Sequence, residues 1–448
     1  MLSGFSYLTM MEQKKSFVVF WFRRDLRLED NSGLAEALAS GLPVLPVFIF
    51  DRSILDFLKK PDDRRVEFIH NALNEMHREL AAFKSGIRFF YGQPEEVFSE
   101  LAADPGLKGV YTNHDYEPYA TGRDKAVAEI LGTKGIPFRT FKDQVIFEKE
   151  EILSGQGLPY TVFTPYSKRW KAMLRESDYK PKTFPAVVHW LSWKAEPIIS
   201  LEEMGFRSTG SEFSPKEIST ELLRHYGERR DFPSLPATSR LSVHLRFGTI
   251  SIRRCVDMGL KNSEKWLDEL IWREFYMQVL WNSPQVGEGK AFKAPYDRIP
   301  WRNNEDEFQR WCEGRTGYPI VDAGMRELNE TGFMHNRVRM ITASFLVKHL
   351  LIDWRWGEAY FAEKLLDFDL AANNGGWQWA AGSGCDAAPY FRVFNPVLQT
   401  QKFDKELRYI KKWVPEYNSL SYMQNQVVQH EFARERVLRV YKEALQGA

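Results

Sequence analysis

Short apolar runs in the first third of the chain place the strongest constraint on its fold. Each run is nearly continuous rather than alternating, which is typical of strands that are buried on both faces of a sheet. The runs are residues 17–22, 44–50, 87–91 and 110–112. Residues 64–83 between them carry apolar side chains at helical spacing. This alternation predicts an N-terminal doubly wound parallel α/β domain over residues 16–146.

The rest of the chain changes pattern twice. Residues 147–212 mix Gly, Pro, Ser and Trp with weak periodicity, which predicts an interdomain connector. Residues 213–448 have helix-period apolar faces, which predicts an all-α C-terminal domain, and Ser214-Pro215 is typical of a helix start. Residues 1–15 are expected to be an N-terminal extension. Because 448 residues exceed the usual size of a single core, two domains are expected.

Composition excludes several classes of protein. Three cysteines without C-x-x-C spacing support neither a disulfide framework nor a metal site, and they fit a reducing, cytoplasmic setting. No apolar run approaches the ~18 residues of a membrane span, and residues 1–15 lack the apolar core of a signal peptide. The net charge of +1 argues neither for nor against nucleic acid. The 14% aromatic content suits a protein that stacks bases or a flat cofactor.

The most informative motif runs from residue 367 to residue 379. It combines two carboxylates, an amide pair, a glycine pair and two tryptophans, which are Asp367, Asp369, Asn373, Asn374, Gly375, Gly376, Trp377 and Trp379. Gly and Asn are unfavourable in a helix interior and favour places where the backbone turns or approaches another group closely. Two Trp side chains so near two Asp side chains indicate a flat aromatic ligand held by edge hydrogen bonds and ring contacts.

Three further segments suit the same kind of ligand. Residues 238–242 (Thr-Ser-Arg-Leu-Ser) offer three hydroxyls and a cation, which suit phosphate oxygens. A second segment predicts a helix face that sets one carboxylate among large rings: Trp266, Glu269, Trp272 or Arg273, and Tyr276. In the third, Asn336 and Met340 are i,i+4 neighbours that share a face. His335 points away from that face and is expected to be a satisfied structural residue.

Together these motifs resemble the photolyase/cryptochrome flavoproteins, and most closely the class I cyclobutane pyrimidine dimer DNA photolyases. The similarity runs from residues 20–28 (Phe-Trp-Phe-Arg-Arg-Asp-Leu-Arg-Leu) to about residue 412. It implies an antenna domain followed by a helical FAD- and DNA-binding domain. It also implies light-driven repair of cyclobutane pyrimidine dimers by electron transfer from photoexcited reduced FAD. The alternative within the family is a blue-light receptor of the cryptochrome type without repair activity.

The resemblance implies which residues bind FAD. Residues 238–242 would hold the pyrophosphate, Arg339 would pair with Asp367, Asp369 would lie near the polar edge of the flavin, and Asn373 would face flavin N5. The implied FAD-binding residues are Tyr226, Thr238, Ser239, Arg240, Leu241, Ser242, Trp266, Arg273, Arg339, Asp367, Asp369 and Asn373. Glu274 is expected to be structural.

Further residues are implied to act in repair. The residues implied to contact the dimer are Glu269, Trp272, Asn336, Met340 and Trp379. The residues that match the family's electron-transfer chain are Trp301, Trp354 and Trp377. The residues that match DNA-phosphate contacts are Arg230, Arg273, Arg337, Arg392 and Lys402. The expected partner is UV-damaged DNA, bound by a monomer with the dimer flipped out and with little sequence preference. Because neither 336 nor 340 is His, a (6-4) photolyase is disfavoured.

The identity of a second, antenna chromophore stays open. Tyr116-Glu117 and Arg123-Asp124 resemble the folate-binding members, but Tyr119-Ala120 stands where those members have Asn-Glu. A deazaflavin, a second flavin and a folate are the alternatives.

Overall fold

A computed structural model describes residues 16–58 and 60–446, which form a parallel sheet followed by a helical region. The strands are β1 (Phe17–Phe22), β2 (Val44–Asp51), β3 (Arg88–Gly92), β4 (Leu107–Asn113) and β5 (Phe138–Phe141). Their order is β3-β2-β1-β4-β5, so the winding direction reverses between β1 and β4. β1 and β2 are buried along their whole length, which explains their continuous apolar sequence. The predicted doubly wound α/β fold is confirmed.

Helices cover both faces of the sheet. They are α1 (Ser32–Ala39), α2 (Arg52–Leu55), α3 (Arg64–Ala81), α4 (Pro94–Leu101) and α5 (Pro118–Thr133). Alternate β1 side chains belong to two cores: Phe20 packs with residues of α1 and α3, and Trp21 packs with residues of α4 and α5. The strand β5 was not predicted, because it is only four residues long and its two central residues, Arg139 and Thr140, are exposed and polar.

The predicted connector contributes to both halves of the molecule. It contains α6 (Phe163–Met173) and α7 (Glu176–Tyr179). Tyr166 and Trp170 of α6 are buried in a core of the helical region. Leu201 and Phe206 are buried against the sheet instead. The connector therefore crosses from one core to the other instead of looping through solvent.

The remainder of the described chain is helical. Its elements are α8 (Thr220–Arg224), α9 (Tyr226–Arg229), α10 (Ser242–Phe247), α11 (Ile252–Asn262), α12 (Glu264–Asn282), two 3₁₀ turns (Pro284–Glu288 and Ala294–Arg298), α13 (Glu305–Cys312), α14 (Pro319–Thr331), α15 (Asn336–Ser344), a π-helical turn (Phe345–Leu350), α16 (Trp354–Lys364), α17 (Leu370–Ala381), α18 (Pro396–Phe403), α19 (Arg408–Trp413), α20 (Leu420–Met423) and α21 (His430–Gln446). Among the helices that the structure describes, none is long and apolar enough to cross a membrane.

The helix start predicted at Ser214-Pro215 is wrong. The first helix after the connector begins at Thr220, where the Ser219 side chain caps the Leu222 amide. The Ser214 hydroxyl instead donates to the carbonyl of Arg240 at 2.8 Å, and the Ser214 carbonyl contacts His244 Nε2 at 2.7 Å. These tertiary bonds hold the segment extended, which the local N-cap signal cannot anticipate.

The close packing at Gly375 explains why a glycine occurs inside helix α17. A Cβ at Gly375 would lie 2.2 Å from the Tyr276 ring of α12, whereas a Cβ at the neighbouring Gly376 would meet nothing within 4 Å. The close approach predicted from the motif is therefore realised at one glycine of the pair. It lets α12 and α17 pack against each other with almost no space between helix backbone and ring.

We expect Gly375→Ala to lower the free energy of unfolding by about 1–3 kcal/mol, because the added methyl group must displace the Tyr276 ring. Gly376→Ala is the matched control, and we expect it to be neutral or stabilising by up to ~1 kcal/mol, since Ala favours a helix interior. Urea unfolding of both variants measures the difference. Equal effects of the two substitutions would contradict the packing argument.

Candidate functional site

One face of α12 forms a wall of aromatic rings. Trp272 stacks on Phe163 of α6 at a centroid distance of 3.8 Å with ring planes 6° apart. Tyr276, one turn further along, lies 5.5 Å from Trp272. The ring wall that the sequence predicted on this helix is therefore present, with Trp272 half-buried. Phe163 was missed, because it comes from the connector, whose sequence contains no sign that it reaches this helix.

Ionised side chains line the same region. The Glu269 carboxylate contacts the Arg230 guanidinium, which lies 3.9 Å from Asp231, and Arg337 donates to Asp231 at 2.9 Å. Burial by itself would lower the pKa of Arg230, but the Glu269 carboxylate outweighs it and raises that pKa. The sequence predicted a carboxylate surrounded by rings, and the structure corrects this, because the nearest partner of Glu269 is a cation.

The start of α15 presents an amide and a thioether. Asn336 is exposed, and Met340 is half-buried with its sulfur 3.7 Å from Arg337 Nη1. His335 is the N-cap, and its Nδ1 accepts from the Arg337 amide at 3.1 Å. Burial lowers the pKa of His335 to about 4, so its imidazole is neutral near pH 7. The structural role expected of His335 agrees with this N-cap, but the expectation that the side chain is satisfied is wrong, because its buried Nε2 has no hydrogen-bond partner among the described residues.

The carboxylates of the central motif are both paired. Arg339 Nη2 donates to both Asp367 oxygens at 3.0 and 2.8 Å, which confirms the predicted pair. Asp369 caps the first turn of α17 by accepting from the Ala372 amide at 3.3 Å. Its other oxygen accepts from Arg24 at 2.6 Å, so the second carboxylate contacts the sheet domain.

The amides of the motif bind a glutamate that sequence reasoning missed. Asn373 donates to the Glu358 carbonyl at 3.1 Å, and Asn374 donates to the Glu358 side chain at 3.0 Å. Burial raises the pKa of Glu358 to about 7. Glu358 was missed because its position opposite the amide pair arises only when α16 packs on α17.

Glu274 was expected to be structural. Its carboxylate accepts from the amides of Ile146 and Phe147 at 2.8 and 2.9 Å.

The segment with three hydroxyls precedes α10. Leu241, the N-cap residue, provides no side-chain hydrogen bond to the first turn. The Ser239 hydroxyl lies 3.4 Å from Trp266 Nε1, and the exposed Arg240 has φ +50° and lies over the Phe333 ring. Tyr226 is buried beneath Arg230. Hydroxyls, a cation and an uncapped helix start form a donor set that fits the pyrophosphate of FAD.

The three tryptophans predicted to carry electrons lie in one hydrophobic core. Trp354 and Trp377 are buried within it, and the half-buried Trp301 packs at its edge against Tyr441 of α21. The ring nitrogens of Trp301 and Trp377 have no hydrogen-bond partner among the described residues. Trp377 is held against Gly357, where a Cβ would lie 2.1 Å from its ring.

Two of the five predicted DNA contacts are exposed, and one of the others points inward. Arg392 and Lys402 are exposed, and the apolar side chains of Phe391, Val397 and Leu398 near them in sequence are also exposed. Arg273 points inward and donates to the carbonyls of Gln144 and Leu245 at 2.7 and 3.3 Å. This interdomain placement is inconsistent with the predicted phosphate contact of Arg273 with DNA, because its guanidinium is already bound on both sides.

The residues that resemble folate-binding members are bound within the protein. Glu117 contacts Arg24 and Arg246, and the Tyr116 hydroxyl donates to Glu148 at 2.7 Å. Arg123 lies over the Trp21 ring. The Tyr119 hydroxyl donates to Asp51, at the carboxyl end of β2, at 2.6 Å. Each of these predicted antenna residues therefore has a partner in the fold.

Comparison with known proteins identifies the family. The family described as DNA photolyase matches residues 18–187, and the FAD binding domain of DNA photolyase matches residues 266–444. A deoxyribodipyrimidine photo-lyase of Vibrio cholerae is 37% identical over 95% of this chain and 99% of its own length. The chain belongs to the DNA photolyase family. The predicted family, the photo-lyase class of enzyme and FAD as cofactor are thereby confirmed.

Two solved structures share the fold. An archaeal photolyase from Sulfolobus tokodaii, solved with two FAD molecules, has a TM-score of 0.82 and 36% identity, over 95% of this chain and 99% of that one. A Synechocystis cryptochrome has a TM-score of 0.77 and 24% identity, over 96% of this chain and 100% of that one. Because a photolyase and a cryptochrome share this fold, the fold by itself does not distinguish the two functions predicted from the sequence.

The raised pKa of Glu358 gives a testable pH dependence of stability. Its pKa is about 7 in the folded protein against 4.5 for the free side chain, so the folded state binds the proton more tightly. Stability from this group is therefore present below about pH 4.5 and is lost as the pH rises to about 7. We expect Glu358→Gln to reduce this decline and to make the photolyase more stable than the wild type at pH 8.

Urea unfolding between pH 4.5 and 8 measures this effect. Glu305→Gln, an exposed position on α13, is the control and should leave the pH profile unchanged. Part of the decline should persist in Glu358→Gln, because burial also raises the pKa of Glu274 to about 7. A Glu358→Gln profile that matches the wild type would contradict the assignment.

Proposed function

We propose that this photolyase repairs cyclobutane pyrimidine dimers in DNA by light-driven electron transfer. The supporting observation is the chain of ion pairs from Glu269 through Arg230 and Asp231 to Arg337. It joins the ring wall of α12 to the start of α15, which carries Asn336 and Met340. An aromatic wall, an amide, a thioether and paired charges thus converge on one region. The comparisons identify the family; the choice of dimer is our inference.

Residue chemistry favours the cyclobutane dimer. The dimer presents carbonyl oxygens and N–H groups on an otherwise apolar saturated ring. The Glu269 side chain offers carboxyl oxygens that suit a pyrimidine N–H, whereas Asn336 and Arg230 can donate to carbonyl oxygens. Trp272 and Trp379 supply ring contact, and Met340 supplies a soft apolar contact. His335, the histidine nearest this face in sequence, is buried and bound as an N-cap.

The protein's part in the reaction is binding and electrostatic stabilisation. Bound reduced FAD supplies the electron when it is excited by light. Asn336 and Arg230 then stabilise the negative charge that develops on the pyrimidine carbonyls, and the indole rings keep water from the opening bonds. Asn373 bears an amide, which could not act as an acid towards a flavin bound beside it. The residues proposed to hold FAD are those of the three-hydroxyl segment together with Arg339, Asp367 and Asp369.

The exposed surface supports contact with damaged DNA. Arg392 and Lys402 supply charges for phosphates, so affinity should fall with salt. Phe391, with 63% of its surface exposed, lies beside Arg392 and is suited to fill the space that a flipped dimer leaves in the duplex. In this mode of binding the protein recognises the distortion of the duplex rather than the base edges, so we expect little sequence preference. Binding as a monomer stays a prediction.

We infer that the antenna chromophore is a flavin. The residues that resemble folate-binding members are bound to partners within the fold, as described above. The Sulfolobus tokodaii relative, in contrast, holds two FAD molecules. Ligands of doubly wound sheets bind at the carboxyl ends of the strands, where the winding reverses. In this chain that edge is bordered by Trp21, Asp51 and Tyr119.

Anaerobic blue-light repair of an oligonucleotide with one thymine dimer tests the proposed function. With chemically reduced protein, we expect light-dependent recovery of absorbance near ~260 nm as the pyrimidine double bonds return. A matched oligonucleotide with a (6-4) photoproduct should show none. If protein with bound, reduced FAD repairs neither lesion, the cryptochrome-type alternative takes the place of the proposal.

The proposed electron-transfer chain predicts a separation of two activities. Trp301→Phe should abolish photoreduction of oxidised FAD, because the outermost donor is lost, and should leave repair by chemically reduced protein intact. Trp356→Phe is the control, since Trp356 is a half-buried indole at the same core. Transient absorption and the repair assay measure the two activities. Normal photoreduction in Trp301→Phe would rule out the chain.

A further inference from the structure

The loop that follows β1 enters the helical region at the end of α10. Gly248 marks the contact: it has φ +66°, and a Cβ there would lie 2.2 Å from the Arg24 carbonyl. The Leu26 amide donates to the Phe247 carbonyl at 3.0 Å, and Arg27 donates to the Gly248 carbonyl at 2.9 Å. This loop of the antenna domain therefore packs against the end of α10, the helix that begins at the proposed pyrophosphate segment.

Arg24, in this loop, binds groups from three parts of the chain. Its guanidinium donates to Asp115 at 3.1 Å, to Glu117 at 2.9 Å and to Asp369 at 2.6 Å, and its Nε donates to the Arg246 carbonyl at 3.3 Å. Only 10% of the Arg24 side chain is exposed. All of its donor groups are thus directed at partners, and none of those partners is a neighbour in sequence.

The partners of Arg24 lie on both elements assigned to FAD. Arg246 is near the end of α10, and Asp369 is the N-cap of α17, which carries Asn373 one turn later. Arg246 also donates to Glu117 at 2.7 Å and lies 3.5 Å from Asp369. Arg24 and Arg246 therefore share two carboxylates, and this shared contact connects α10 to α17 through the antenna domain.

The carboxylate of Asp369 depends on the cations of this cluster. Burial by itself would raise the pKa of Asp369, but Arg24, Arg246 and Arg273 together outweigh the effect of burial and lower it. Removing one guanidinium would leave an unpaired carboxylate in a buried position, which is costly. The α17 N-cap would then have to shift or take up water, and Asn373 would move with it.

We propose that Arg24 is a positioning residue of the FAD site, which fixes α10 relative to α17 from the antenna domain. The proposal rests on the assignment of these two elements to FAD made above. It implies that the antenna domain helps to hold the catalytic cofactor, in addition to any light-harvesting role. Arg24 does not need to touch FAD for this, because its effect is transmitted by Arg246 and Asp369.

Arg23 provides a matched control. It neighbours Arg24 in the same loop, and its side chain is similarly buried, with 8% exposed. Its guanidinium binds Asp124 and the Asn113 carbonyl, both within the antenna domain. Arg23→Gln therefore removes an equally buried guanidinium without cutting the connection to α10 and α17.

The experiment measures the rate of FAD release in the dark, without DNA, from purified holoprotein by the rise of free-FAD fluorescence. We expect Arg24→Gln to release FAD at least about tenfold faster than the wild type, which corresponds to ~1.4 kcal/mol. Arg24→Lys should release FAD at an intermediate rate, because lysine keeps the positive charge but lacks the planar guanidinium group with its several donors. Arg23→Gln should stay within about twofold of the wild type. The flavin absorption bands should shift in Arg24→Gln alone.

Two outcomes would overturn the proposal. One is an Arg24→Gln release rate within about twofold of the wild type. The other is equal acceleration in Arg23→Gln and Arg24→Gln, which would indicate a general loosening of the antenna domain. If Arg24→Gln does not fold, Glu117→Gln, which removes the carboxylate shared with Arg246, should accelerate release by itself. Because no step involves DNA or repair, failure of the repair assay would leave this test unaffected.

Discussion

The buried ion pairs between the sheet and the helical region are the interaction on which the rest of the structure depends. Arg253 of α11 binds Asp143 at 2.8 Å and Asp30 at 2.6 Å, and within the antenna domain Asp143 is also bound by Arg27 at 2.5 Å. Arg24 and Asp369 form a second such contact nearby. A buried ion pair adds little net stability compared with apolar packing, but breaking one partner costs about 3–5 kcal/mol. The pairs therefore penalise any docking geometry that separates the charges.

That docking geometry determines the candidate site. The elements proposed to bind flavin, α10 and α17, are held by the loop after β1, and the ring wall on α12 is completed by Phe163 from the connector. Antenna domain, connector and helical region each supply a part of the candidate site. The tight glycine contacts at Gly357 and Gly375 then place Trp377 and α17 closely within the core. Close packing of this kind suits the proposed electron transfer, since its rate depends on fixed distances.

The charges near the proposed dimer position are arranged differently from those at the flavin elements. Glu269, Arg230, Asp231 and Arg337 form partly exposed pairs, with 28% of the Glu269 side chain accessible. Partly hydrated pairs are weaker than buried ones and exchange partners at low cost. They can therefore release donors to an incoming dimer and to phosphates, whereas the buried cluster of Arg24 keeps its partners. The same residue types thus form a buried, fixed cluster in one place and partly exposed pairs in another.

The sequence by itself predicted the fold class, and the resemblance of its motifs predicted the family. Continuous apolar runs encode buried parallel strands, because this pattern is local. The resemblance also predicted the pairing of Arg339 with Asp367, which the structure contains. What the tertiary structure decided are contacts between segments far apart in sequence: Phe163 on Trp272, Arg230 on Glu269, Glu358 beside Asn374, the inward course of Arg273, and Arg24 on Asp369. Helical and strand periodicity reports which face of an element is buried, but it does not report what lies opposite that face. That information arises only when the elements pack, because partner choice depends on shape and charge summed over the whole interface.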